Sequence, residues 1–221
     1  MFLNFEEFYK KTLPSKITLL EVGANKGQWL SQIIPLYPNA EIFSFEPIPG
    51  ITPSYPNVKL ENCAVDIEDD MIKTLFITRD NVTSSLLELD NSITNTFIDF
   101  VDEKGMLHKK SDFDIVDKII VKTKRLDTII KQNNISEIHY LKIDTEGNDL
   151  NVFKSLGKYK NIVWGFEIEV WNESNTLFKG SIPRDESIEI IQSNGFILVD
   201  KFVHGKGLSS DLLFINNNFA I

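Results

Sequence analysis

Two closely spaced pairs of acids in the second half of the sequence are the side chains best placed to do chemistry. Asp144 and Glu146 form one pair, and Glu167 and Glu169 form the other. Each pair directly follows a short apolar run that predicts a buried strand. In an open α/β sheet, ligands bind at the carboxyl ends of the strands. Carboxylates there can attract a cationic ligand or accept a proton, although Asp144 could instead cap the following helix.

A carboxylate base at Glu146 or Glu167 is our first hypothesis for proton transfer. We expect Glu167, rather than Glu169, to face the site. His204, at the end of the predicted penultimate strand, is the reserve candidate, because a histidine accepts protons readily near neutral pH. No metal is expected, because His139, Asp144 and Glu146 do not have a recognised ligand spacing.

A glycine-containing turn at residues 23–27 joins a predicted strand to a helix that is predicted to begin at Gln28. Such a turn presents backbone N–H groups and a helix N-terminus to a ligand. Glu46 follows about 20 residues later, at the tip of a second predicted strand that Pro47 ends. A carboxylate at this place can accept hydrogen bonds from both hydroxyls of a ribose. The pattern therefore indicates an adenosine-type ligand.

Apolar strand segments alternate with amphipathic helical ones along most of the chain. This alternation is typical of a doubly wound, mostly parallel α/β sheet that is covered on both faces. We expect one domain over residues 1–221, with a helix in residues 4–13 forming an N-terminal extension (residues 1–16). The last two predicted strands form an antiparallel pair.

Residues 66–123 interrupt the alternation and predict a β insertion after the third strand. Within this insertion, residues 94–116 are polar and lack a clear periodicity. Long irregular segments in compact domains are usually functional or disordered. A substrate lid and plain flexibility both remain open for residues 94–116.

The composition excludes several classes of function. A net charge of −9 argues against broad binding to nucleic acid or to an anionic membrane, since both require a basic surface. The single cysteine, Cys63, cannot form an intrachain disulfide and fits a reducing compartment. There is no apolar run of about 18 residues and no signal-peptide pattern. We expect a cytoplasmic protein without a membrane span, whose oligomeric state the sequence leaves open.

Three segments together resemble the FkbM family of S-adenosylmethionine-dependent methyltransferases. They are residues 21–27 with 45–47, residues 125–128 and residues 141–147. Residues 84–86 and 168–170 also look like the family, at the expected places in the order. The resemblance extends over about residues 17–200. It implies a doubly wound, Rossmann-like methyltransferase sheet with an antiparallel last strand, S-adenosylmethionine as the cofactor, and O-methylation of a small-molecule or glycan acceptor.

The resemblance also implies the residues that hold the cofactor. Its methionine end is assigned to the turn residues Gly23, Ala24, Asn25 and Gly27. Glu46, followed by Pro47, would hold the ribose, and Ala64 would flank the adenine. The ammonium and sulfonium groups of the cofactor are cationic, so Glu21 and Asp144 are favourable neighbours. Glu21 stands where the family more usually has Asp.

Two other classes of function remain as alternatives. A nicotinamide-dependent oxidoreductase can use the same type of sheet, but the turn lacks the Gly-x-Gly-x-x-Gly spacing that admits a pyrophosphate. A non-catalytic nucleotide-binding module would keep the fold and bind the cofactor without turnover.

Overall fold

Strands and helices alternate through most of the computed structural model, which describes residues 2–96, 98–101, 107–171, 176–204 and 208–221. The strands are β1 (Thr18–Val22), β2 (Glu41–Phe45), β3 (Val58–Glu61), β4 (Ala64–Val65), β5 (Ile72–Thr78), β6 (Phe100–Val101), β7 (Leu107–His108), β8 (Ile115–Lys124), β9 (Tyr140–Ile143), β10 (Gly165–Trp171), β11 (Phe196–His204) and β12 (Ser209–Asn216). The α-helices are α1 (Gln28–Leu36), α2 (Asn91–Thr94), α3 (Leu126–Gln132), α4 (Asp149–Ser155) and α5 (Arg184–Ser193). Short 3₁₀ helices span Phe5–Phe8, Lys110–Phe113 and Gly157–Ile162.

Seven of the strands form the central sheet, in the order β11-β12-β10-β9-β1-β2-β3. Strand β12 runs antiparallel to both of its neighbours, while the remaining pairs are parallel. The order reverses between β1 and β9, so the carboxyl ends of these two strands meet beside a crevice suited to ligands. The predicted doubly wound, mostly parallel sheet with an antiparallel last strand is confirmed.

Alternate residues of each strand serve two different cores. One face of the sheet packs against α3, α4 and α5, with Leu20, Ile143 and Ile168 among its buried apolar residues. The other face packs against α1 and the N-terminal segment, where Leu19 and Tyr140 are fully buried. Because side chains alternate along a strand, the acids of β10 at positions 167 and 169 both lie on this second face.

The second face changes from apolar to polar towards the carboxyl ends of the parallel strands. Its buried polar residues there are Glu21, Ser44, Lys142, Glu167 and, on the antiparallel β12, Asp211. Buried charges are costly unless they are paired or hydrogen-bonded. A row of them at the ligand-binding end of a sheet therefore indicates a functional surface.

The predicted β insertion is present. Strand β8 pairs in parallel with β4 and antiparallel with β5, and β6 pairs with β7 in a separate small sheet. Part of the segment expected to be irregular, residues 94–116, is therefore organised into β6, β7 and a 3₁₀ helix. Residues 97 and 102–106 of that segment lie outside the part of the chain that the structure describes, and its role as a lid stays a prediction.

The predicted N-terminal helix over residues 4–13 is wrong. Only the 3₁₀ helix Phe5–Phe8 forms, and Tyr9 instead makes a β-bridge with Ala220. Short isolated helices are only marginally stable in water, whereas the ring of Phe5 stacks on the ring of Tyr140 with centroids 4.1 Å apart. Tertiary packing of the aromatic rings decides the conformation of this segment. Over the described ranges, none of the helices has the length and apolar character needed to span a membrane.

Candidate functional site

The glycine turn after β1 lies against the turn after β9. Gly23 has φ = 87°, and a Cβ at this position would lie 1.7 Å from the carbonyl oxygen of Asp144. Only glycine permits this contact, since the space is filled by backbone and the left-handed φ disfavours a side chain. Gly23 therefore brings the two turns into direct contact, and its N–H donates to the carbonyl oxygen of Phe45 at the end of β2.

Glu46 is held at the end of β2 by the glycine turn itself. The N–H of Asn25 donates to its Oε2 over 2.7 Å, and the N–H of Ile48 donates to its Oε1 over 2.8 Å. Burial raises the pKa of Glu46, although the two N–H donors act against this. Each oxygen of the carboxylate can accept a further hydrogen bond, so the group can still receive a ribose diol.

A cavity of about 200 Å³ opens between these two turns and the insertion. Of the residues that the sequence predicts for cofactor binding, those in its wall are Glu21, Gly23, Ala24, Asn25, Glu46, Pro47, Ala64 and Asp144. Gly27 is not in the wall. It caps α1 with φ = 75°, so its contribution is to start the helix after the turn.

The cavity wall also contains residues that were not predicted to bind the cofactor. The insertion contributes Val82, Ser84, Ser85 and Leu86. Ser85 Oγ donates a hydrogen bond to the carbonyl oxygen of Glu146 over 2.6 Å and so joins the insertion to the turn after β9. The sequence carried a signal for this segment, since residues 84–86 resemble the family at the expected position.

A buried charge network links the cavity to the centre of the sheet. Glu21 and Lys142 are partners in the register between β1 and β9, and Lys142 Nζ donates to Asp144 Oδ2 over 2.5 Å. Burial lowers the pKa of Lys142, but Asp144, Glu167 and Asp211 raise it by more, so the lysine stays protonated. Asp144 does not cap α4, whose N-cap residue is Asn148.

The turn after β9 is held by an acid that the sequence analysis did not single out. Asp149 accepts hydrogen bonds from the N–H groups of Thr145 and Gly147, over 2.6 Å and 2.8 Å. This clamp accompanies a left-handed Glu146, with φ = 55°. The turn therefore directs the Glu146 side chain back towards the sheet, where it is 9% exposed.

Asp144, Glu146 and Glu169 come together at the cavity's edge, with one carboxylate oxygen from each lying within 4.8 Å of the others. The Oε2 atoms of Glu146 and Glu169 are buried and have no hydrogen-bond partner among the described residues. Burial, followed by the negative charge of the neighbouring acids, raises the pKa of both glutamates well above the ordinary range. The cluster therefore favours a proton donor or a cation.

The prediction that the strand before Glu167 ends at the two acids, with Glu167 facing the site from its rim, is wrong. The strand begins at Gly165 and continues to Trp171, because the aromatic and β-branched residues beyond the acids also pack in the core. Glu167 is 1% exposed, and its Oε2 accepts hydrogen bonds from Tyr140 Oη and the N–H of Phe2, each over 2.8 Å. Glu169, not Glu167, is the β10 acid that joins the cluster.

His204 ends β11, as predicted, and its Nε2 lies 2.8 Å from Oδ2 of Asp211. Asp211 lies directly opposite Glu169 in the register of β10 and β12. Burial raises the pKa of Asp211, but its hydrogen bond with His204 and nearby positive charges lower the pKa by more, so that it lies below its ordinary value. The pair extends the row of charged groups beyond the three-acid cluster.

The sheet, the turn and the cavity fit S-adenosylmethionine. Gly23, Ala24 and Asn25 line the part of the cavity assigned to the methionine end. Glu46 offers free lone pairs to the ribose, and Ala64 with Ile48 offers an apolar wall for the adenine. Glu21 and Asp144 supply negative charge for the cationic groups. These features define the class of S-adenosylmethionine-dependent methyltransferases.

Comparison with known proteins specifies the family. Residues 21–196 match the methyltransferase FkbM domain, and the chain belongs to this family. Methyltransferase sdnD of Sordaria araneosa is 23% identical over 203 residues, which cover 83% of this chain and 75% of that protein. The chain is thus an S-adenosylmethionine-dependent methyltransferase.

Two solved structures are similar to this chain over most of its length, at low sequence identity. A putative ribosomal RNA methyltransferase from Plasmodium falciparum is 12% identical with a TM-score of 0.43, over 90% of this chain and 86% of that one. The plantazolicin methyltransferase BpumL, in complex with SAH, is 9% identical with a TM-score of 0.43, over 97% of this chain and 80% of that one.

Proposed function

We propose that this methyltransferase transfers the methyl group to a hydroxyl oxygen, and that the acceptor is a saccharide or another secondary metabolite. The observation that carries the proposal is the Oε2 atom of Glu146, which is buried in the cavity wall without a partner among the described residues. An acceptor hydroxyl at this place would donate its proton to that oxygen. A buried hydrogen-bond acceptor, such as this carboxylate oxygen, costs about 1–3 kcal/mol when no donor reaches it.

The residues of the chain divide the work in this proposal. When bound, S-adenosylmethionine supplies an electrophilic methyl group on its sulfonium. Glu46 holds the ribose, the turn at Gly23 borders the methionine end, and Asp144 is committed to the cofactor. Orientation of this kind can supply about 7–11 kcal/mol of the barrier reduction.

The proton acceptor is assigned to a carboxylate, with Glu146 ahead of Glu167. Glu146 lines the cavity, whereas Glu167 already accepts two hydrogen bonds deeper in the sheet. His204 remains the reserve, supported by its contact with Asp211. A general base contributes about 10²–10⁴-fold to a rate.

Four variants test the assignment: Asp144→Asn, Glu146→Gln, Glu167→Gln and His204→Ala. Cofactor affinity is measured by calorimetry, and turnover is measured with labelled cofactor against hydroxylated acceptors found by a mass-spectrometric screen. The base variant should lose turnover by about 10²–10⁴-fold while still binding the cofactor. If only His204→Ala behaves in this way, the carboxylate assignment is wrong.

A cytoplasmic location, a small-molecule or glycan acceptor and the absence of a nucleic-acid partner belong to the same proposal. They are supported by the net charge of −9 and by Cys63, which is free and buried. A high-affinity, salt-sensitive complex with RNA would contradict them.

A further inference from the structure

The register between β9 and β10 brings acids from two separate turns together. Ile168 pairs with Ile143, so the next residues along the two strands, Glu169 and Asp144, lie side by side at the rim of the sheet. Glu146 then turns back towards them through its left-handed backbone conformation. One oxygen from each of the three carboxylates lies within 4.8 Å of the other two.

The proposed acceptor hydroxyl does not satisfy this arrangement by itself. A hydroxyl donates one proton, whereas the buried Oε2 atoms of Glu146 and Glu169 both lack a partner among the residues described. Asp144 has Lys142 as its partner, through Oδ2. A divalent cation would satisfy several carboxylate oxygens at once, because two oxygens on opposite sides of one ion lie about 4–5 Å apart at ordinary metal–oxygen distances.

We infer that Asp144, Glu146 and Glu169 form a binding site for a divalent cation at the edge of the cofactor cavity. Three carboxylates and no sulfur or nitrogen ligand favour hard ions such as Mg²⁺, Mn²⁺ and Ca²⁺. Such ions take six or more ligands, so positions would remain for water or for oxygens of the acceptor. Asp144 and Glu146 both line the cavity, which would bring those open positions to the ligand side.

The surrounding charges are compatible with a cation. Asp149 and Asp211 lie near the cluster and add negative charge to it, while the ammonium of Lys142 is engaged by Asp144. A carboxylate has two oxygens, so Glu146 would bind the cation through one of them and keep the other for the proton of the acceptor hydroxyl. The site itself can be tested without any turnover.

The experiment uses Mn²⁺ as the probe and the full-length protein, with electron paramagnetic resonance reporting the free ion. We expect one Mn²⁺ per chain, displaced by Mg²⁺ or Ca²⁺. Glu146→Gln and Glu169→Gln should each weaken Mn²⁺ binding at least about tenfold, since loss even of a group that only supports a ligand commonly costs 10–100-fold. Glu189→Gln makes the same charge change at an exposed position of α5 and should leave the affinity unchanged.

Binding of S-adenosylhomocysteine serves as the control that the variants are correctly folded. Glu169→Gln should retain this binding, because Glu169 is not among the residues in the wall of the cofactor cavity. Absence of Mn²⁺ binding at millimolar concentration in the folded wild-type protein would overturn the inference. Equal affinity of the wild type and both cluster variants would also overturn it. Neither result bears on O-methylation, which is decided by the product of the reaction.

Discussion

Replacing Glu21 with Gln should stabilise the cofactor-free protein above neutral pH. Glu21 is 1% exposed, and its Oε2 accepts a hydrogen bond from Ser44 Oγ over 2.7 Å. Burial raises the pKa of Glu21 from 4.5 to about 7, although Lys142 and Ser44 act in the opposite direction. At pH 8 the folded chain therefore carries a buried carboxylate that the unfolded chain would expose to water.

The sign and size follow from proton linkage. The folded state binds the Glu21 proton more tightly than the unfolded state, so stability falls as pH rises from about 4.5 to about 7 and is level above that. At about 1.4 kcal/mol per pKa unit, this loss reaches ~3 kcal/mol. The uncharged Gln avoids the loss, so Glu21→Gln should be more stable by up to ~3 kcal/mol at pH 8 and by less than about 1 kcal/mol at pH 5.

Urea unfolding at pH 5 and pH 8 measures this difference, with Glu189→Gln on the exposed face of α5 as the control for the loss of one charge. The same variant should bind S-adenosylmethionine more weakly, because a favourable neighbour of its ammonium is removed. A stability difference that is equal at the two pH values would refute the argument. Loss of stability at pH 8 in the variant would refute it as well.

Three further predictions concern the cofactor turn and the insertion. Glu46→Ala should weaken cofactor binding by roughly 1.5–3 kcal/mol, the range for hydrogen bonds to a charged group, and an unchanged dissociation constant in the folded variant would remove Glu46 from the ribose role. Gly23→Ala should prevent stable folding, because its Cβ would lie 1.7 Å from the carbonyl oxygen of Asp144. The control Gly180→Ala, at a position with φ = 82° and nothing within 4 Å of an added Cβ, should lower the free energy of unfolding by only about 1–2 kcal/mol. Equal melting temperatures of the two variants would contradict this prediction. Residues 94–116 should show the fastest internal amide exchange without acceptor, and slow exchange across them would contradict the lid hypothesis.

The fold and the cofactor turn were predictable because their signals are local. Strands β1 and β2 are short apolar runs, and Glu46 follows the second of them directly, so sequence order alone fixes their relation to the glycine turn. Similarly, helix α1 begins at Gln28, immediately after Gly27. These elements needed no knowledge of tertiary contacts.

The acidic cluster was not predictable because it depends on register between strands. The apolar run before Glu167 extends from Ile162 to Phe166, whereas β10 begins at Gly165 and continues to Trp171, and this difference changes which acid reaches the rim. The pairing of Ile168 with Ile143 brings Glu169, rather than Glu167, beside Asp144. The N-terminal segment failed for a related reason, since Phe5 is fixed by stacking on Tyr140 rather than by helix propensity.

The most direct test of the proposed function is the chemical identity of the methylated product. The protein is incubated with S-adenosylmethionine labelled with carbon-13 at the methyl group and with hydroxylated acceptors from the mass-spectrometric screen, and the product is analysed by nuclear magnetic resonance. We predict that the label appears in an O–CH₃ group, with one S-adenosylhomocysteine formed for each methyl group transferred. Label on nitrogen, carbon or sulfur, or cofactor binding without transfer to any acceptor in the screen, would contradict the proposal.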